Sequence, residues 1–125
     1  MKSVKEQLLK DLDTIFQSIV KANIREGRKM TRRQICDIIA STPAPRLYIL
    51  PEYALRVLRS NPGCGARSYH SSAMQQELRF RYLALPENMR TLPNITEIIM
   101  QPAPSFYISS SRIYDLLYKV YNRRK

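Results

Sequence analysis

Hydrophobic residues recur at three- and four-residue spacing through the first 25 positions. Val4, Leu8, Leu12, Ile15, Phe16, Ile19 and Val20 share one stripe, and Lys5, Glu6, Lys10, Asp13, Gln17 and Lys21 fill the other side. That period predicts a long amphipathic helix from residue 3 to about 25. Its polar side mixes both signs, unlike the basic face of a helix lying on a membrane. The stripe is expected to face a core; burial against a partner, including a second copy of the chain, is the sharper alternative. Gly27 in "REGRKM" is placed to stop the helix. Thr31 and Gln34 in "MTRRQI" have capping-box spacing, and Met30 with Ile35 has the spacing of the matching hydrophobic staple. A second helix is therefore predicted from Thr31, with Ile35, Ile38 and Ile39 as its apolar face. It must end before Pro43, because a residue preceding proline avoids the helical region.

Pro43 and Pro45 impose an extended segment. Arg46 to Leu50 then reads as a short strand, rich in residues suited to a pleated surface. Pro51 opens a helix through Tyr53, Ala54, Val57 and Leu58 to about Arg59. Residues 60–72 read as a loop, with two glycines and Pro62. A helix is predicted over 72–85, with Met74, Leu78, Tyr82 and Leu85 on one face. Pro86 and Pro93 punctuate the link to "NITEII", which opens a further helix ending at Pro102. "PAPSFYI" is extended again, and Ser109 or Ser110 caps a last helix carrying Ile113, Leu116, Leu117 and Val120.

The last third repeats the second. At an offset of 60, Ile35, Ile38 and Ile39 match Ile95, Ile98 and Ile99, and Thr31 matches Thr91. At an offset of 59, Pro43, Ala44 and Pro45 match Pro102, Ala103 and Pro104. Leu47, Tyr48 and Ile49 likewise match Phe106, Tyr107 and Ile108, and Val57 and Leu58 match Leu116 and Leu117. Ordered agreement of this kind points to an internal duplication of a helix–Pro-Ala-Pro–strand–helix unit, spanning about 31–59 and 91–118. One copy is too small to bury a core alone. The expected fold is mainly α with two short extended or β segments, the copies facing each other about a pseudo-twofold axis. At 125 residues the chain fits one compact domain, 1–125, or two very small units sharing a core.

Charge changes the functional picture more than composition does. Lysine and arginine number 21 and aspartate and glutamate 10, a net +11. Such a field attracts polyanions. Nucleic acid, DNA before RNA, is the expected partner, with an acidic protein as the alternative. No apolar run approaches the ~18 residues that span a bilayer. The first residues, interrupted by Glu6, Asp11 and Asp13, do not read as a signal peptide, so a cytoplasmic location is expected, or incorporation into a virion or nucleoprotein complex.

The densest cationic run holds Lys21, Arg25, Arg28, Lys29, Arg32 and Arg33 against Glu26 alone. It crosses a predicted helix end, a turn and a helix start, where backbone amides would add to an anion site. Arg123, Arg124 and Lys125 form a basic tail, and Arg46 stands beside Tyr48. Tyr48 and Tyr107 could stack bases, but the second copy carries Ser105 in place of Arg46, which favours rings packed on the core. Arg79 and Arg81 flank Phe80 as weaker candidates. A Pro-Ala-Pro string could dock in an aromatic groove; between two periodic segments it reads as a rigid connector. A helix-turn-helix would need a turn of three or four residues where this chain has about ten. Cys64 and His70 lack a third partner for nucleophilic catalysis, and Cys36 reads as a small core residue. No phosphate-loop, zincin, paired-carboxylate or nucleophile-elbow pattern is present, so neither an enzyme, a cofactor nor a metal is expected. The expectation is a small non-enzymatic protein that contacts nucleic-acid phosphates with little sequence specificity. The alternative is a structural or assembly component of a virion or other large complex, with a homo-oligomer within the same expectation.

Overall fold

A computed structural model of the chain describes residues 3–60 and 69–119. The fold is mainly helical and divides into two units, one built from Met1–Thr42 and Ile108–Lys125, the other from Pro43–Tyr107.

In the first unit, α1 spans Val4–Glu26, and Ser3 caps it by accepting the Glu6 amide at 3.1 Å. It ends where the periodicity placed the stop. Gly27 takes a left-handed φ of 68°, the Arg28 N–H donates to Asn23 O at 2.9 Å, and the Gly27 N–H donates to Ile24 O at 3.3 Å. These are the paired bonds of a Schellman turn, which glycine enters without a Cβ penalty. α2, Arg32–Ala40, starts on a complete capping box: Thr31 Oγ1 accepts the Gln34 amide at 3.1 Å, and Gln34 Oε1 accepts the Thr31 amide at 2.8 Å. Ser109 caps α6, Ser110–Tyr114, by accepting the Arg112 amide at 3.1 Å, and the chain continues as a π-helical turn, Asp115–Lys119. α2 packs on α6, and α1 lies against α2 and the π turn. Ile35, Cys36, Ile39, Ile113, Leu116 and Leu117 are buried. Of the long stripe on α1 only Leu12 is fully enclosed; Leu8, Ile15, Phe16, Ile19 and Val20 are half-buried.

The second unit holds α3 (Pro51–Arg59), α4 (Tyr69–Leu83), a 3-10 turn (Glu87–Met89) and α5 (Leu92–Ile99). Pro51 and Pro93 sit in first turns, where their missing N–H costs nothing. α3 packs on α5, and α4 touches both. Val57, Leu58, Leu78, Ile95, Ile98 and Ile99 form the centre, joined by Ala44, Leu47, Ala103 and Phe106. α4 spans Tyr69–Leu83, so Tyr69 to Ser71, expected as loop, are helical, and it ends before the expected Leu85, where Pro86 disfavours helical geometry. Of the expected loop, residues 61–68 lie outside the described residues.

The two expected strands do not form. Among the described residues the β feature is a single antiparallel bridge, in which Ala44 N–H donates to Ala103 O at 2.9 Å and Ala103 N–H to Ala44 O at 2.8 Å. The prolines explain why it goes no further. Pro43, Pro45, Pro102 and Pro104 flank both alanines and have no amide to extend a ladder. Beyond them, the Leu47 amide turns to Ile99 O at 2.9 Å and the Tyr107 amide to Ser105 Oγ at 2.9 Å. Tyr107 is itself left-handed, at φ 57°.

Candidate nucleic-acid interface

The two units use their cations differently. By sequence the first unit carries 14 cations and 6 acids, net +8, and the second 7 and 4, net +3. In the second unit four half-buried arginines are bonded to backbone carbonyls. Arg79 Nη2 donates to Val57 O at 2.8 Å and Ser60 O at 3.1 Å, at the C-terminal end of α3. Arg81 Nη1 donates to Ile98 O at 2.6 Å and Gln101 O at 3.2 Å, and its Nη2 to Pro102 O at 2.7 Å, at the end of α5. Its Nε also pairs with Glu77 at 3.0 Å. Helix ends leave carbonyls without partners and carry negative dipole charge, so a guanidinium fork fits both needs. Arg90 bonds Leu85 O at 3.1 Å and lies 5.0 Å over Tyr82. Arg46 bonds Leu47 O at 3.0 Å and lies 5.5 Å over Tyr48, whose ring stacks on Phe106 at 5.6 Å. Arg46, expected as a contact residue, is thus tied to its own unit. Arg56 and Arg59 are exposed and share an open groove with Glu52.

In the first unit Lys21, Arg25, Arg28, Lys29, Arg32 and Arg33 are all exposed. The Schellman turn and the capping box fix the backbone on which they stand. Arg28 pairs with exposed Glu26, and Arg25 in the last turn of α1 also complements that helix's dipole. Arg32 lies 4.7 Å over the Tyr118 ring and Arg33 5.5 Å over Tyr114. The two rings are 4.6 Å apart, and Phe16 meets Tyr118 edge-on at 5.7 Å. Sequence reasoning did not find these tyrosines; the i,i+4 spacing of Tyr114 and Tyr118 was the available signal. Asp37 and Asp115 are the nearby acids by sequence. Arg123, Arg124 and Lys125 lie outside the described residues, as does Cys64 of the Cys64–His70 pair. Tyr48 and Tyr107 are half-buried, and Tyr107's phenol is pushed up in pKa first by burial, then by Glu77, with Arg81 opposing.

The Tyr118 hydroxyl is buried without a hydrogen-bond partner among the described residues. Burial, with Cys36 and Tyr114 adding and Arg32 opposing, pushes its pKa from 10.0 to about 12. The folded state therefore holds this proton more tightly than the unfolded state. The stabilisation is complete below pH 10.0 and is lost as pH rises toward about 12. Tyr118→Phe keeps the ring under Arg32 and removes the orphaned hydroxyl. It should raise stability at neutral pH by up to about 1 kcal/mol and flatten the loss between those two pH values. Urea denaturation of both proteins at neutral and alkaline pH checks this; a destabilised Phe variant would refute it. Cys36 is buried, and burial, then Asp37, push its thiol pKa up, with Arg33 opposing. That suits a packing role.

Among the described residues no group of His, Cys, Asp or Glu could hold a metal ion, and no helix is long and apolar enough to cross a membrane. No protein-family model matches the chain, and no curated protein or solved structure is significantly similar to it.

Proposed function

We propose that the chain is a small non-enzymatic nucleic-acid-binding protein that meets phosphates through Lys21, Arg25, Arg28, Lys29, Arg32 and Arg33. One observation carries this: these six cations are exposed on one segment of the first unit, from the end of α1 to the start of α2, while four arginines of the second unit are bound to backbone carbonyls. Solvent-facing cations cost little to bring to a polyanion. Arginines that close helix ends are not free to move. Binding should weaken steeply with salt, because each neutralised phosphate releases condensed counterions. Six contacts give a log–log slope of roughly −4 to −5. A fluorescence anisotropy titration of labelled DNA across ionic strength reads that slope, and no binding even at low salt would sink the proposal. Arg123, Arg124 and Lys125 are proposed as a supporting arm.

A structural or assembly role is the second reading. Phe80 and Leu83, one turn apart on α4, are 72% and 66% exposed, and Ile24 on α1 is 76% exposed. Apolar side chains so placed suit a protein contact that survives moderate salt. We further propose that the scaffold is an internal duplication. Three features support it. Thr31 and Thr91 are both N-caps, as are Leu50 and Ser109. Ala44 and Ala103 bond each other reciprocally. Within each unit the first helix of one copy packs on the second helix of the other, α2 on α6 and α3 on α5.

A further inference from the structure

We infer that the nucleic acid held by the first unit is a single strand, with unpaired bases stacking on the guanidinium planes of Arg32 and Arg33. The inference rests on the nucleic-acid reading above and deepens it. Arg32 and Arg33 are exposed, yet their guanidinium groups are not extended into solvent as bare point charges. Each lies over a tyrosine ring, at 4.7 Å on Tyr118 and 5.5 Å on Tyr114. An exposed guanidinium held over a ring is a flat cation that can take a second flat group from the solvent side. The centroids of the two supporting rings are 4.6 Å apart with a tilt of 48°, so both arginines stand over one pair of rings.

A duplex cannot use such planes, because its base faces are covered by the next pair and only phosphates and groove edges are offered. A single strand can, and its bases stack on aromatic and arginine planes alike. The remaining cations divide the work. Lys21, Arg25 and Lys29 are exposed and lie over no ring among the described residues, which leaves them for the backbone. The mixture of stacking planes and loose cations on one segment is what a strand with uncovered bases requires, and more than a phosphate ladder needs.

The test uses the full chain at low salt with three labelled probes: a short oligothymidylate, an abasic strand of the same length, and a duplex of the same length. The oligothymidylate should bind at least about tenfold more tightly than either of the others. An abasic strand that binds equally well, or a duplex that binds as well or better, overturns the single-strand inference and leaves the phosphate reading standing. No binding to any probe overturns both. A second arm replaces both planes at constant charge, Arg32→Lys with Arg33→Lys. Oligothymidylate affinity should fall by about tenfold with the abasic affinity unchanged. No fall for either strand would mean that the arginines act as charges alone, and an equal fall for both would mean that the guanidinium groups serve phosphates rather than bases; either result overturns the inference.

Discussion

Replacing Arg81 with alanine should cost about 3 kcal/mol of folding free energy, the sum of several charged hydrogen bonds lost at one helix end. Arg81 donates to the carbonyls of Ile98, Gln101 and Pro102 and pairs with Glu77, and its side chain is 9% exposed. Removing it leaves three carbonyls at the end of α5 without that partner, and a half-buried Glu77 without its cation. Arg81→Lys should recover only part of the loss, because an ammonium cannot span the three acceptors as a planar fork does. Arg59→Ala, at an exposed position on α3, should stay within about 0.5 kcal/mol of the native protein. Urea denaturation of the three variants measures this. A loss below about 1 kcal/mol for Arg81→Ala would mean that water replaces the guanidinium at little cost.

The second large effect concerns binding. Reversing Arg32 and Arg33 together to glutamate should weaken DNA binding by about 100-fold or more at low salt, and flatten the salt slope by roughly 2 through the lost counterion release. Folding should survive. The variant loses two ring contacts, but it gains two acids at the start of α2, where the helix dipole favours negative charge. The informative control is Arg56→Glu with Arg59→Glu in the second unit, which changes the net charge by the same amount. If binding depends on the fixed segment, this control should lose only a few-fold. Equal losses in both pairs would mean that binding follows total charge and that the Arg32–Arg33 segment has no special part.

Much of the helical skeleton was legible because its signals are local. The Thr31–Gln34 box, the Gly27 stop, Pro51 at a first turn and the Ser109 cap each need only a few consecutive residues. The strands were misread for the same reason. Leu-Tyr-Ile and Phe-Tyr-Ile have strand-like composition, but a ladder needs amides, and the flanking prolines have none. Arg79 and Arg81 stand as weaker candidates because they flank Phe80, and their actual acceptors lie 17 to 22 residues away along the chain. No local pattern marks an arginine whose acceptors are that distant. The cationic segment was legible from charge density, and the tyrosines beneath Arg32 and Arg33 were not, because more than 80 residues separate them in sequence.

That separation bears on how the molecule is made. The second unit is one continuous stretch, Pro43–Tyr107, whereas the first is assembled from both ends of the chain. A ribosome delivers α1 and α2 before the second unit, and the Ile35–Ile39 face of α2 then waits without α6. The second unit can close on itself during that interval, since all its contacts are already synthesised. Tyr114 and Tyr118 are synthesised after the second unit, and only then can Arg32 and Arg33 find their rings. The segment on which binding is proposed to depend therefore gains its rings only after the second unit has been made, and a chain released before residue 108 would carry its cations without the surface that arranges them.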